Sequence, residues 1–190
     1  MIMENNNLEL WKKVEKTNPL YTKKANVRGN QITSISPQYQ VMNVTSEFGV
    51  YGQTWGFKSM DFDYTLAGSL GLVVLHAVFF FPNGEFPIKN AISLFMDNAK
   101  TKIDDNFAKK IETDTLTKAI SKLGFNADIF MGKFDDIRYL TEVTSEFTKV
   151  HATSETIQKA FEAGASLEQL KGKYFVTPIL EQEFINLKTT

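Results

Sequence analysis

Residues 36–56, SPQYQVMNVTSEFGVYGQTWG, start a helix and then turn sharply out of it. Ser36 is a helix-capping residue type, and Pro37 suits the first helical position, where a missing N–H costs nothing. Tyr39, Val41, Met42, Thr45 and Phe48 fall on one largely apolar helical face, and Gly49 ends it. The VYGQTWGF that follows puts Gly52 and Trp55 where a chain leaving a helix enters a sheet. Gly49 and Gly52 are therefore expected to take backbone angles that other residues resist.

Outward from this turn, the downstream sequence predicts three consecutive antiparallel strands, at about 54–65, 70–81 and 86–96. Leu72 to Phe81 is an apolar run about half the length of a membrane span, which reads as a buried strand. The pair Asn83-Gly84 between apolar runs signals a hairpin, because both residue types tolerate positive φ. Phe57, Met60 and Phe62 do not alternate cleanly, which predicts a bulge in the first strand. A helix follows from Asp104 or Asp105 to Leu123, closed by Gly124. Its buried face is Phe107, Ile111, Leu116, Ala119, Ile120 and Leu123, with acidic residues at its start to suit the dipole. On its other side Lys110, Asp114, Lys118 and Lys122 recur every four residues.

Upstream, Leu8, Leu10, Trp11 and Val14 predict a short amphipathic helix, with Trp11 as a core anchor. The stretch from Thr17 to Asn30 reads as a polar, basic loop, and Gln31 to Ile35 as a brief strand. Downstream, residues 125–149 read as a short helix, a break at Gly132 and a further helix with Asp135 and Asp136 in its first turn. Residues 151–190 form a mixed-charge helical extension. The fold class is α+β: a three-stranded antiparallel sheet packed on helices, organised as a core (1–150) and a helical C-terminal extension (151–190).

A chain of 190 residues, 43% hydrophobic and 13% aromatic, can bury one sizeable core and a small appendage. The absence of cysteine excludes disulfides and thiolate metal sites and fits a reducing compartment. The N-terminus lacks the pattern of a signal peptide. A net charge of −1 argues against a protein that coats nucleic acid with its whole surface. Locally, however, Lys12, Lys13, Lys16, Lys23, Lys24 and Arg28 are opposed by Glu15 alone. That segment is either a solvated face or a phosphate-facing rim.

No GxxxxGK[ST] phosphate-binding motif occurs, which leaves an ATPase unsupported. His76, inside an apolar strand, reads as a core histidine, and His151 has no patterned partner. Asp61 and Asp63 share one strand face, and Asp135-Asp136 follow a glycine. Carboxylates of this kind hold magnesium in nucleases, but an exposed sheet face and a helix N-terminus are the favoured account of them. No catalytic residue, metal site or cofactor is assigned.

The order of motifs resembles phage single-strand annealing proteins, the Sak-type recombinases related to the eukaryotic mediator Rad fifty-two. The resemblance rests on W-K-x-V (Trp11 to Val14), T-x-P (Thr17 to Pro19), T-K (Thr22-Lys23) and the F-G-x-x-G-x-x-W-G turn (Phe48 to Gly56). The helix Thr113 to Gly124 and A-D-x-F-x-G-x-F-D-D (Ala127 to Asp136) complete it, so that it covers roughly residues 8–140. It implies a β-β-β-α core that assembles into rings or helical filaments, with single-stranded DNA in a basic groove around the outside. It also implies annealing of complementary strands without nucleotide hydrolysis, hence no enzyme, in the cytoplasm of a bacterial host during phage recombination. A phage single-strand binding protein is the partner it suggests for the extension, and no membrane is involved.

In that family the helix after the sheet presents basic residues to the groove. Lys118 falls where eukaryotic relatives carry arginine, whereas Thr117 and Tyr39 replace basic residues; Lys122 lies one turn further on. The expected DNA-binding set is Lys23, Lys24, Arg28, Lys118, Lys122, Lys133 and Arg138. Two rival functions remain. One is a passive single-strand coat using Tyr51, Trp55 and Tyr139 for stacking. The other is a magnesium nuclease built on Asp61, Asp63, Asp135 and Asp136.

Overall fold

In the computed structural model, which describes residues 8–27 and 29–189, the chain is mixed α+β with a three-stranded antiparallel sheet and C-terminal helices. It divides into two compact units, Met1–Asp135 and Asp136–Thr190, so the division falls upstream of the expected boundary at 150/151. Among the described residues no helix is long and apolar enough to cross a membrane.

The first unit begins with α1 (Glu9–Val14) and a 3-10 turn at Pro19–Tyr21. Within the stretch expected to be a loop, Thr22–Val27 is instead a strand, β1, which forms an antiparallel ribbon with β2 (Asn30–Ile35), the strand expected at Gln31 to Ile35. Gly29 helps turn the ribbon, with φ +88° and its N–H donated to Asn26 Oδ1 at 3.0 Å. Strand β1 escapes sequence reading because Lys23, Lys24 and Asn26 are exposed, leaving no apolar alternation to see.

Helix α2 (Pro37–Phe48) follows, with Pro37 in its first turn. Ser36 occupies the cap position, but its side chain makes no capping bond. The buried residues of α2 are Tyr39, Gln40 and Val44, whereas Met42 is exposed. The expected apolar face is thus rotated, and it carries a buried amide.

The turn that ends α2 is built as its glycines predict. Gly49 has φ +95° and Gly52 φ +82°. Gly52 N–H donates to Trp55 O at 2.7 Å, and the fully buried Trp55 donates its indole N–H to Gly49 O at 2.8 Å. The loop therefore folds back on its own tryptophan, which satisfies the buried indole.

From there β3 (Gly56–Asp63), the short α3 (Ala67–Leu70), β4 (Leu72–Phe81) and β5 (Gly84–Ser93) make a sheet of order β3-β4-β5. The register of β3 on β4 shifts between Phe57 and Ser59, the expected bulge. Phe81 pairs with Gly84, so the β4–β5 hairpin turns through Pro82 and Asn83. Neither Asn83 nor Gly84 is among the residues with positive φ. The hairpin is as expected but its mechanism differs: proline presets φ for the turn.

Along β4, Val73, Leu75, Ala77 and Phe79 are buried and the alternate residues half-buried. One face therefore meets a core of Val44, Trp55, Ala77, Phe79, Ile88, Ala119, Ile120 and Phe125. His76 lies on the other face and is no core residue: its ring is 40% exposed, and Nε2 stands 3.8 Å from Asp63.

Helix α4 (Phe107–Ser121) packs over β5 and buries Ile111, Thr115, Ala119 and Ile120. Asp104 and Asp105 precede it, so no acidic residue stands in its first turn. The unit closes with α5 (Ala127–Phe130) and a 3-10 turn at Lys133–Asp135.

The second unit consists of α6 (Ile137–Phe147), β6 (Val150–His151), α7 (Ser154–Glu162), α8 (Leu167–Lys173), β7 (Tyr174–Phe175) and α9 (Pro178–Thr189). Asp136 caps α6 by accepting from Arg138 N–H at 2.8 Å, and β6 pairs with β7 in parallel. Ser166 and Gln169 form a capping box on α8. Ala152, Ile157, Leu170 and Phe184 make a separate core.

Candidate functional site

The first unit holds a groove of about 560 Å³ between the β1–β2 ribbon and α4, within the range of about 300–1,000 Å³ typical of ligand sites. β2 contributes Ile32 to Ile35, α2 contributes Pro37 and Gln40, and α5 contributes Ile129 and Phe130. The α4 side presents Asn106, Lys109, Lys110, Thr113, Asp114 and Thr117. Lys109, Thr113 and Thr117 lie four residues apart, so the 3.6-residue period stacks them along one line.

The cations of this wall differ in their commitments. Lys110 Nζ donates to Asp104 Oδ2 at 2.7 Å, and that bond holds the Asp104 carboxyl below the usual carboxylate range. Lys109 is exposed and has no ion-pair partner among the described residues. Both lysines sit near a helix N-terminus, which carries partial positive charge; Asp104 and Asp105 lie just before it, and Asp104 is bonded to Lys110 and to Asn106 N–H. The wall therefore carries both signs of charge, with Asp114 lining it as well, and Lys109 is its cation without an ion-pair partner among the described residues.

Gln40 sits in this wall at 1% exposure. Its Oε1 accepts from Thr117 Oγ1 at 2.8 Å, while its Nε2 has no hydrogen-bond partner. Buried polar groups without partners are uncommon in folded proteins.

Of the residues expected to bind DNA, Lys24 stands beside the groove. Its Nζ donates to Thr33 Oγ1, a lining residue, at 2.9 Å and also meets Asp135 at 3.3 Å. Lys23 is exposed on the same strand. Lys118 turns toward β5, donating to Asn90 Oδ1 at 2.6 Å and pairing with Asp114 at 3.0 Å. Lys122 lies with its ammonium 6.0 Å from the Phe86 ring, also on β5. Neither lines the groove. Lys133 pairs with Glu15 at 3.7 Å, Arg138 belongs to the second unit, and Arg28 lies outside the described residues.

The residues that sequence reading missed are Gln40, Lys109, Thr113 and Phe130. A signal for the second existed in the Lys109-Lys110 pair opening a helix, where cations oppose the dipole.

The aromatic candidates separate as well. Trp55 is wholly buried, and Tyr51 packs edge-on against it with ring centroids 4.9 Å apart. Asp61 and Asp63 lie on the open sheet face with His76. Among the described residues no three His, Cys, Asp or Glu side chains form a cluster that could hold a metal ion. No family model matches the sequence, and comparison with curated proteins finds no match.

Proposed function

We propose that the chain binds single-stranded DNA in the groove between the β1–β2 ribbon and α4 and pairs complementary strands without nucleotide hydrolysis, acting as a homo-oligomer. The observation that carries this reading is Lys109: an exposed cation without an ion-pair partner among the described residues, near the N-terminus of a 15-residue helix, in a groove that Thr113, Thr117 and apolar groups also line. An unpaired lysine with backbone-derived positive potential suits phosphate oxygens and reads no base. Annealing needs that kind of grip, because base edges must stay free to test a complement. Pairing is itself downhill, so no nucleotide need be spent.

The oligomer is supported by the β3 edge of the sheet. Met60 and Phe62 pair with Ala77 and Leu75, on the face that β4 buries, yet they are 42% and 38% exposed. Tyr64 beside them is 53% exposed, and its ring centroid lies 6.2 Å from that of Phe62. Phe107 packs edge-on against Phe62 and Tyr64 and covers the strip only in part, and a partly covered apolar strip on an edge strand is a ready surface for a second copy. Repetition of the groove around a ring or along a filament turns a few lysines per subunit into a continuous phosphate track. The acidic balance of the whole chain is then no obstacle.

The test combines affinity for mixed-sequence oligonucleotides across a salt series with the rate at which complementary strands pair. Binding of any sequence is expected, weakening steadily with salt, together with faster pairing. Lys109→Ala should make the log–log salt slope shallower by about 0.7 per subunit contact. Absence of salt-dependent binding, slower pairing in the bound state, or degradation of the strands would each overturn the reading.

A further inference from the structure

The two walls of the groove differ in chemistry, and the difference gives a bound strand an orientation. Lys109 and Thr113 stand on the α4 side, whereas Ile32, Ile129 and Phe130 stand on the side formed by the ribbon and α5. Phe130 is 50% exposed and Ile32 42%. The Phe130 ring meets no other aromatic ring among the described residues.

The backbone that carries the ring is tied into the core. Ala127 and Asp128, which precede it in α5, are buried, and Asp128 accepts from Thr17 N–H and Thr17 Oγ1 at 2.8 and 2.6 Å. Directly after it, Met131 N–H returns to Ala127 O at 2.8 Å, and Gly132 turns the chain away at φ +73°. A large apolar ring held in the open on such a backbone gives up only its side-chain torsions when something covers it, the backbone being ordered already.

Resting on the single-strand reading above, we propose that Phe130 is a base-stacking platform, so that a bound strand runs its phosphates along α4 and lays bases against α5. Aromatic stacking uses the π-face that every base has, so it adds affinity without sequence preference. It also leaves the pairing edges uncovered, which a purely polar groove would not ensure.

The experiment uses the full chain and an oligonucleotide containing 2-aminopurine, whose emission falls when its ring stacks. Wild type should bind in a salt-dependent way and quench the probe. Phe130→Ala and Phe130→Leu should both lose the quenching and weaken binding roughly tenfold, with the salt slope unchanged. Phe130→Trp should keep the quenching, and Lys109→Ala should keep it while making the slope shallower. Quenching and affinity unchanged in a folded Phe130→Ala protein would overturn the platform and leave the single-strand reading standing. Salt-dependent binding absent from wild type would overturn both.

Discussion

Thr17 and Asp128, 111 positions apart in the chain, are joined by two hydrogen bonds. Asp128 Oδ1 accepts from Thr17 Oγ1 at 2.6 Å, and Oδ2 accepts from Thr17 N–H at 2.8 Å. Both residues have no exposed surface. Asn126, in the left-handed conformation at φ +57°, adds a third strand to the knot by donating Nδ2 to Thr17 Oγ1 at 3.0 Å. The Thr17-Asn18-Pro19 segment and the Ala127-Asp128 motif are thus two halves of one buried polar clasp, which fixes α5 and with it one wall of the groove.

Asp128→Ala is expected to lower stability by at least about 2 kcal/mol, since it strands two buried donors on Thr17. Asp128→Asn should cost less, because one acceptor oxygen remains. Urea denaturation checks this: the midpoint should fall with the slope unchanged. An unshifted midpoint would mean that the clasp contributes nothing to the fold.

Gly49 and Gly52 both have positive φ, but they should not tolerate a side chain equally. A Cβ on Gly52 meets nothing within 4 Å, so Gly52→Ala should cost about 1 kcal/mol, the ordinary penalty of the left-handed region. Gly49 is at φ +95° and ψ −158°, a region nearly exclusive to glycine, and its Cβ would stand 2.9 Å from Thr54 Oγ1. Gly49→Ala should therefore cost about 3 kcal/mol. Parallel denaturation of the two variants checks the ranking, and the reverse order would refute it.

The sheet and the glycine turn were legible because their physics is local. An apolar run, a break in alternation and a glycine after a helix each report on their own few residues. Of the ribbon, β2 was legible and β1 was not, because Lys23, Lys24 and Asn26 are exposed and no apolar alternation marks Thr22 to Asn26. The groove was least legible of all. Lys109 and Phe130 share it through packing across α4, α5 and the ribbon, which no spacing encodes. The same periodicity that marked Lys118 and Lys122 as a row carries them onto the β5 side of α4, while the line through Lys109, Thr113 and Thr117 lines the groove. Local charge rows show which residues share a helix face, but only tertiary packing decides what that face meets.

Asp104 predicts a pH dependence. Its carboxylate, 5% exposed, is bonded to Lys110 and to Asn106 N–H, and its folded pKa is lowered chiefly by the Lys110 bond. A lowered folded pKa means that the stabilisation is present above the unfolded value, near 3.9, and is lost as pH falls through the folded value. Asp104→Asn should therefore be less stable than wild type at pH 7, with the gap closing below about pH 4. Denaturation midpoints measured from pH 7 to pH 3 check it; a gap that stays constant across the range would remove the carboxylate charge as its cause.

Gln40 offers a substitution expected to separate stability from function. Its buried Nε2 lacks a partner, and leaving a buried polar group unpaired costs about 1–3 kcal/mol. Gln40→Met keeps the length of the side chain and removes that group. Thr117 loses its present acceptor, but its hydroxyl can turn to the carbonyl four residues back, as those of Thr113 and Thr115 already do. The variant should be more stable by about 1 kcal/mol, which for a chain of this size raises Tm by roughly 2–4 °C. In the same protein, affinity for single strands should be unchanged, because Nε2 is buried and out of reach of a phosphate in the groove. Calorimetry and anisotropy on one preparation check both halves. A lower Tm would mean that an ordered water already satisfies the amide, and a higher Tm with weaker binding would place Gln40 at the strand.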